Sequence, residues 1–209
     1  MPHENQPILS AGVKLEDASA AMILIHGRGA TAEDILSLST HLTYPKLTYL
    51  APQAEGYTWY PNRFIFPVSQ NEPYLSDALN LIDNLVKHVE ASGISTEKIF
   101  IGGFSQGACL ASEYVIRNPK KYAGLLVFSG GYIGELNLKR ESSGDLKETP
   151  VFIGCSDVDP HIPLQRVKET TKLLESMNAQ VTERIYPQMG HTINDEELQF
   201  ARSVIEKSL

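Results

Sequence analysis

The sequence predicts a three-layer α/β/α sandwich around a mostly parallel central sheet. Strand-like and helix-like segments alternate along the 209 residues, the order required by parallel strands joined through crossover helices. The central strand-like segments are continuously apolar, as in residues 20–26 (AAMILIH). That pattern marks strands covered on both faces rather than one. No internal repeat and no Gly/Ser-rich linker divides the chain. A single domain is therefore expected over residues 1–209, with the polar residues 1–7 as a flexible leader. A chain of this length buries about 70% of the surface its unfolded form exposes, enough for a full core without staples.

In chain order, residues 8–15 suit one or two short leading strands. The first strong strand, 20–26, ends at Gly27-Arg28-Gly29. Thr31 is placed to cap the next helix, with Glu33 and Asp34 in its first turn. Ile35, Leu36 and Leu38 supply that helix's apolar side, and it stops before Pro45. Residues 47–51 are a strand closed by Pro52. Residues 53–73 (QAEGYTWYPNRFIFPVSQNEP) then break the alternation. They are rich in aromatics, proline and turn formers, and long for a connection in a compact domain, which points to a functional loop. Leu75, Leu79, Ile82, Leu85, Val86 and Val89 recur at helical spacing and predict a helix over 74–91. A strand over 98–102, a helix over 106–117 broken by Asn118-Pro119, and a strand over 122–128 ended by Ser129-Gly130-Gly131 follow. Residues 133–149 are polar and irregular, with room for a short helix. A strand over 151–155, a helix over 162–177, a strand over 181–186 and an amphipathic helix over 194–205 complete the order.

Composition excludes several classes. Eighteen Lys and Arg against 25 Asp and Glu give a net charge of −7, so the average field repels a phosphate backbone. The densest basic patch is only Lys139-Arg140, and nucleic-acid binding is not expected. No apolar stretch reaches the 18 residues of a membrane span. The opening MPHENQPILS has neither the basic start nor the apolar core of a signal peptide. Two cysteines make no disulfide framework, and a reduced, cytoplasmic protein is expected. The first strand is followed by His26-Gly27-Arg28-Gly29-Ala30 without a third glycine at dinucleotide-binding spacing. No Gly-Lys-Ser/Thr ends a glycine-rich stretch, so there is no P-loop either.

The chemistry is carried by Gly103-Phe104-Ser105-Gln106-Gly107. A G-x-S-x-G sequence alone is a weak signal. Here it lies directly between the strand KIFIG and an apolar-periodic helix, the strand–turn–helix setting that presents a serine hydroxyl at a tight apex. The helix N-terminus favours negative charge developing beside it. A serine hydroxyl is a poor nucleophile unaided and needs a base, oriented by a third group. With the order serine, acid, histidine, only His161 and His191 of the six histidines qualify. His191 stands in a loop after the strand VTERIY. His161 is too close in sequence to the candidate acids to accept orientation from them, so His191 is favoured. The acid lies after the strand VFIGC, and the residues alone leave Asp157 and Asp159 in competition, since either could instead serve a turn. Backbone donors for an oxyanion are expected from the N–H of Gln106, next to the serine, and from the loop after the first strong strand, where Arg28 is the candidate. The Arg28 side chain could bind an acidic group or brace the loop. His26 reads as a structural histidine that tightens this turn.

Four segments resemble the phospholipase/carboxylesterase family of α/β-hydrolases, which includes the acyl-protein thioesterases. They are LIHGRGATAED from Leu24, KIFIGGFSQGACLA from Lys98, SDVDPHIP from Ser156 and YPQMGH ending at His191. They occur in family order from about residue 20 to the end. The resemblance implies an α/β-hydrolase fold with a minimal cap, and ester or thioester hydrolysis without a cofactor or metal. It places the nucleophile on Ser105, the histidine on His191, the acid on Asp159 ahead of Pro160-His161-Ile162-Pro163, and the oxyanion donors on Arg28 and Gln106. Two departures stand out. Arg28 occupies a position that is often aliphatic in the thioesterases, and the loop TWYPNRFIFPVSQNEP looks like that of a bacterial esterase subgroup.

The expected activity is therefore a serine carboxylesterase acting on small to medium acyl esters through an acyl-enzyme. An acyl-protein thioesterase or lysophospholipase is the alternative, and a non-catalytic binding protein on the same fold a further one. A dienelactone-type hydrolase typically carries cysteine where this chain has Ser105. Trp59, Tyr60, Phe64, Phe66 and Tyr74, with Met189, are candidates for an apolar acyl pocket, each with the alternative of an ordinary loop anchor. Cys109 reads as a small buried hydrophobe. Cys155 ends a strand near the acid loop, and neither cysteine has a metal-ligand partner at suitable spacing. The expected partner is a small-molecule acyl ester or thioester, and an exposed apolar surface would support a homodimer.

Overall fold

The computed structural model describes residues 2–138, 140–141 and 143–209. Met1 of the leader and Lys139 of the basic pair lie outside the described residues. Seven strands, β1 (Ile8–Gly12), β2 (Ala20–Ile25), β3 (Leu47–Pro52), β4 (Ile99–Phe104), β5 (Gly124–Phe128), β6 (Pro150–Ser156) and β7 (Gln180–Tyr186), form one sheet. Its order is β1-β3-β2-β4-β5-β6-β7. The edge strand β1 runs antiparallel to β3, pairing Ile8 with Pro52 through Gly12 with Thr48. Among the described residues the α-helices are α1 (Ala32–Leu36), α2 (Tyr74–Ala91), α3 (Gln106–Arg117), α4 (Leu164–Ser176) and α5 (Asp195–Ser208).

The apolar runs explain the layering. Every residue of β2 and of β5 is buried. Alternate β2 side chains feed two cores: Ala21, Ile23 and Ile25 pack with α2, α3 and α4, while Ala20, Met22 and Leu24 pack with α1 and α5. Period-two alternation within an all-apolar strand thus serves two helix layers at once. At the edges the need lapses, and β1 alternates between exposed and half-buried residues. The six strands β2 to β7 run parallel. The loops after β2, β4, β6 and β7 therefore emerge at one end of the sheet, where open α/β sheets place their ligand crevice.

Three segments differ from the sequence reading. The helix capped by Thr31 forms, with a capping box between Thr31 and Asp34. It then tightens into a 3₁₀ turn over Ser37–Thr40. The Ser37 and Thr40 hydroxyls donate to the carbonyls of Asp34 and Ser37, a local competition that shortens helices. The described residues of 133–149 contain neither helix nor strand. Buried side chains order the start of this segment instead: Arg166 donates to the carbonyls of Tyr132, Gly134 and Glu135, and Glu113 accepts from Ile133 N–H and Arg140. The leader expected to be flexible is pinned at His3, which is buried. Its Nε2 bonds Trp59 O, its Nδ1 accepts from Glu55 N–H, and its backbone N–H donates to Asp77.

Candidate active site

Ser105 sits between β4 and α3 with φ 56° and ψ −119°, a backbone region that non-glycine residues rarely adopt. Two glycines make the turn possible. A Cβ at Gly103 would lie 2.6 Å from both the Gly107 carbonyl carbon and Ile25 O, and one at Gly107 would overlap the Ile25 carbonyl. Ser105 N–H donates to Phe128 O at 3.0 Å, and Ser105 O accepts from Cys109 N–H, so the strained apex is held from both sides.

His191 Nε2 lies 2.8 Å from Ser105 Oγ, and His191 Nδ1 lies 2.7 Å from Asp159 Oδ2. The three side chains expected from the sequence thus form one continuous hydrogen-bonded relay. The imidazole packs against the ring of Phe104 at 4.7 Å and edge-on to His161 at 4.8 Å between centroids, which fixes its plane. The Asp159 side chain is fully buried. Burial alone would raise its pKa, but hydrogen bonds from His191 and from the N–H groups of His161 and Ile162 outweigh that and lower it. The group is ionised and suited to hold a proton on Nδ1. The neighbouring Cys155 thiol is pushed up to about 12, first by burial and then by the Asp159 charge, so it stays a thiol.

The two aspartates have different partners. Asp157 does not reach His191; its Oδ1 accepts from Gln188 N–H at 2.8 Å. Together with the Ser156 hydroxyl, which donates to Met189 O, it ties the histidine loop to the acid loop. Asp157 braces the loop while Asp159 touches the ring.

The two expected backbone donors also flank the serine. Gln106 is the first residue of α3, and first-turn N–H groups have no intrahelical acceptor. Arg28 follows Gly27, whose backbone packs on Ser105: a Cβ there would stand 3.3 Å from the Ser105 Cβ. Among the described residues neither N–H donates within the protein. His26 explains the aim of the Arg28 N–H. Its Nε2 accepts from Ala54 N–H at 3.0 Å, so its proton resides on Nδ1, which donates to Gly27 O at 2.8 Å. A trans peptide sets C=O and N–H on opposite sides, so holding the Gly27 carbonyl toward His26 turns the Arg28 N–H away from that ring. Burial lowers the His26 pKa and keeps the ring neutral, as this pattern requires. The role of His26 as a brace is thus visible in full.

The side chains of the same two donors lock the long loop. Arg28 donates to the carbonyls of Tyr60, Pro61 and Asn62 at 2.8–2.9 Å. The Gln106 amide accepts from Trp59 N–H at 3.0 Å and donates to Tyr60 O at 2.9 Å. Loop 53–73 is therefore the wall of a cavity of about 580 Å³ with Ser105 and His191 in its lining. Tyr60, Phe64 and Phe66 line it, joined by Phe104, Ile162 and Cys109. Three pocket candidates need correction. Trp59 is fully buried beneath the loop, where its Nε1–H donates to His26 O at 2.9 Å. Met189 does not line the cavity; its sulfur lies beside Asn194 Nδ2. Tyr74 is an exposed residue at the start of α2 and is not in the lining either. Phe104, Ile162 and Arg63, which do line it, were missed because each looks like an ordinary strand or loop residue in sequence. Cys109, read as core, is buried and also forms cavity wall, with its thiol raised to about 12 by burial. Among the described residues no cluster of His, Cys, Asp and Glu could hold a metal, and no helix is long and apolar enough to cross a membrane.

A phospholipase/carboxylesterase family profile matches residues 10–209. The chain belongs to the phospholipase/carboxylesterase family. It is 30% identical over 224 residues to acyl-protein thioesterase 1 of Saccharomyces cerevisiae, covering 96% of this chain and 98% of the yeast protein. Among solved structures, a phospholipase/carboxylesterase from Dyadobacter fermentans is 43% identical, with a TM-score of 0.93 over 99% of both chains. SOBER1 of Arabidopsis thaliana, at 21% identity and a TM-score of 0.75 over 90% of this chain and 98% of that one, shares the fold. Family membership makes the protein an α/β-hydrolase of the carboxylesterase and acyl-protein thioesterase type.

Proposed function

We propose that the protein is a serine esterase that hydrolyses small to medium acyl esters through an acyl-enzyme. One observation carries the reading: the unbroken hydrogen-bonded run Ser105–His191–Asp159 opens into a cavity walled by Tyr60, Phe64 and Phe66. In the proposed cycle His191 Nε2 takes the Ser105 proton as Oγ attacks the acyl carbonyl. Asp159 stabilises the imidazolium through Nδ1–H. The tetrahedral oxyanion lies against the N–H groups of Arg28 and Gln106. His191 returns the proton to the leaving oxygen, and the bond to the acyl carbon breaks. Water attacks the acyl-enzyme with His191 again as base, releasing the acid and restoring Ser105. The two unpaired buried thiols, Cys109 and Cys155, fit the cytoplasmic setting we propose for it.

The reading is tested with para-nitrophenyl esters of increasing acyl length. Cleavage should depend on chain length and fall by several orders of magnitude in Ser105→Ala. Full activity in that variant, or a flat length profile, would refute the mechanism or the pocket respectively. Thioester hydrolysis is the second reading, favoured by the name of the yeast relative. A thioester of matched acyl length cleaved with the higher kcat/KM would select it.

A further inference from the structure

We propose that Arg63 is a specificity-determining residue that selects acyl esters whose leaving alcohol bears a negative charge, as a carboxylate or a phosphate. The inference rests on the esterase reading above and names its substrate class. The chain has a net charge of −7, yet the cavity lining contains Arg28, Arg63, His161 and His191 and no Asp or Glu. A positive mouth on an acidic protein is a local charge arrangement that favours an anionic ligand.

The two arginines do different work. The guanidinium of Arg28 is occupied by three loop carbonyls, so it braces. Arg63 has the opposite distribution of contacts. Its backbone is held firmly: its carbonyl accepts from Phe66 N–H at 3.0 Å and from Asn71 Nδ2 at 3.3 Å, and the preceding Asn62 bonds Asn71 and Gln70. Its side chain is exposed. Among the described residues that side chain makes one hydrogen bond, Nη2 to His161 O at 3.5 Å, the outer limit of a hydrogen bond. Among the described residues no carboxylate pairs with it. A fixed backbone thus displays a guanidinium with most of its five donors free.

Its position assigns the side of the substrate. His191 Nε2 faces Ser105 Oγ and protonates the leaving oxygen in the proposed cycle, and the His161 ring packs edge-on against His191. A guanidinium reaching the His161 carbonyl therefore stands on the leaving-group side, while the N–H groups of Arg28 and Gln106 serve the oxyanion. The planar fork matches carboxylate and phosphate oxygens in pairs.

The test compares butyryl esters of 4-hydroxybenzoate and of 4-hydroxyphenyl phosphate with that of methyl 4-hydroxybenzoate. Each kcat/KM is divided by the hydroxide-catalysed rate of the same ester. The readout is the anionic-to-neutral ratio, because trimming the cavity wall alters each rate separately. The wild-type protein should favour the anionic esters about tenfold at low salt, and added salt should shrink the preference. The two anionic arms show whether carboxylate or phosphate is the better match. Arg63→Ala should bring the ratio near one, Arg63→Glu should invert it, and Arg63→Lys should retain part of it. A wild-type ratio at or below one, or one unchanged in Arg63→Ala and Arg63→Glu, overturns the role of Arg63. If the wild-type protein cleaves the neutral ester without regard to charge, this inference alone fails. If it cleaves none of the three, the esterase reading fails and takes the inference with it.

Discussion

Replacing Asp159 with asparagine removes one charge and almost no volume, and the surrounding bonds dictate what the amide must do. Oδ1 accepts from His161 N–H at 2.8 Å and Ile162 N–H at 3.0 Å, while Oδ2 faces His191 Nδ1 at 2.7 Å. Two backbone donors can face only an oxygen, so the amide oxygen takes the Oδ1 place. Turning the amide over would set its NH₂ against both N–H groups and leave the part-buried Ile162 donor unmet, at about 1–3 kcal/mol. The NH₂ group is thereby aimed at Nδ1, which must become an acceptor, and the ring proton moves to Nε2. His191 then donates to Ser105 instead of accepting from it. The expected fall in kcat is about 10³- to 10⁴-fold, or roughly 4–5 kcal/mol in the barrier. KM should hold within about twofold, because Asp159 does not line the cavity. Initial rates on para-nitrophenyl butyrate, with a urea melt to confirm folding, measure both. A folded Asp159→Asn protein within tenfold of wild-type kcat would refute the tautomer argument.

Three further outcomes follow from the same geometry. Gly103→Ala puts a methyl 2.6 Å from backbone atoms of Gly107 and Ile25; it should cost about 1–3 kcal/mol in urea stability and about 100-fold in esterase rate through displacement of Ser105, and a variant normal in both would contradict the elbow packing. Phe66 is 39% exposed at the cavity wall, so Phe66→Ala should lower kcat/KM for longer acyl esters about tenfold relative to acetate; an unchanged length profile would remove it from the acyl site. Glu197 is buried, and desolvation raises its pKa from 4.5 to about 7. The folded state holds this proton more tightly, so its contribution to stability is full below pH 4.5 and is lost as pH rises toward 7, by on the order of 3 kcal/mol. Glu197→Gln should therefore gain stability relative to wild type between pH 5 and pH 8 in paired urea melts, and an equal difference at both pH values would contradict the shift.

The fold was legible because its signals are local. Continuous apolar runs such as 20–26 mark strands covered twice, and the helical spacing of Leu75 through Val89 falls wholly within α2. The serine's place was legible for the same reason, since G-x-S-x-G joins a strand to a helix within a few residues. Asp157 and Asp159 could not be separated from the residues alone. Both stand in a turn, and the distinction lies in which one a loop from another strand approaches: Gln188 N–H meets the first and His191 meets the second. The pocket wall was only half legible. An aromatic-rich loop says that rings are available, but Trp59 is drawn beneath the loop by the His26 carbonyl while Phe64 and Phe66 face the cavity. The brace by Arg28 had a faint signal, an arginine at a backbone-donor position, whose partners lie more than thirty residues away. The buried charges Glu113 and Arg166, which order the start of the 133–149 segment, had none, since each reads as a polar position on an amphipathic helix.

The central claim is that Ser105 is made nucleophilic by His191. The most direct measurement is labelling of the intact protein with a fluorophosphonate, followed by peptide mass spectrometry, in wild type and in His191→Ala. One adduct per chain, on the peptide carrying Ser105 and formed far more slowly in the histidine variant, is the expected result. An unlabelled wild-type protein, an adduct on a different residue, or equal labelling rates with and without the imidazole would contradict it.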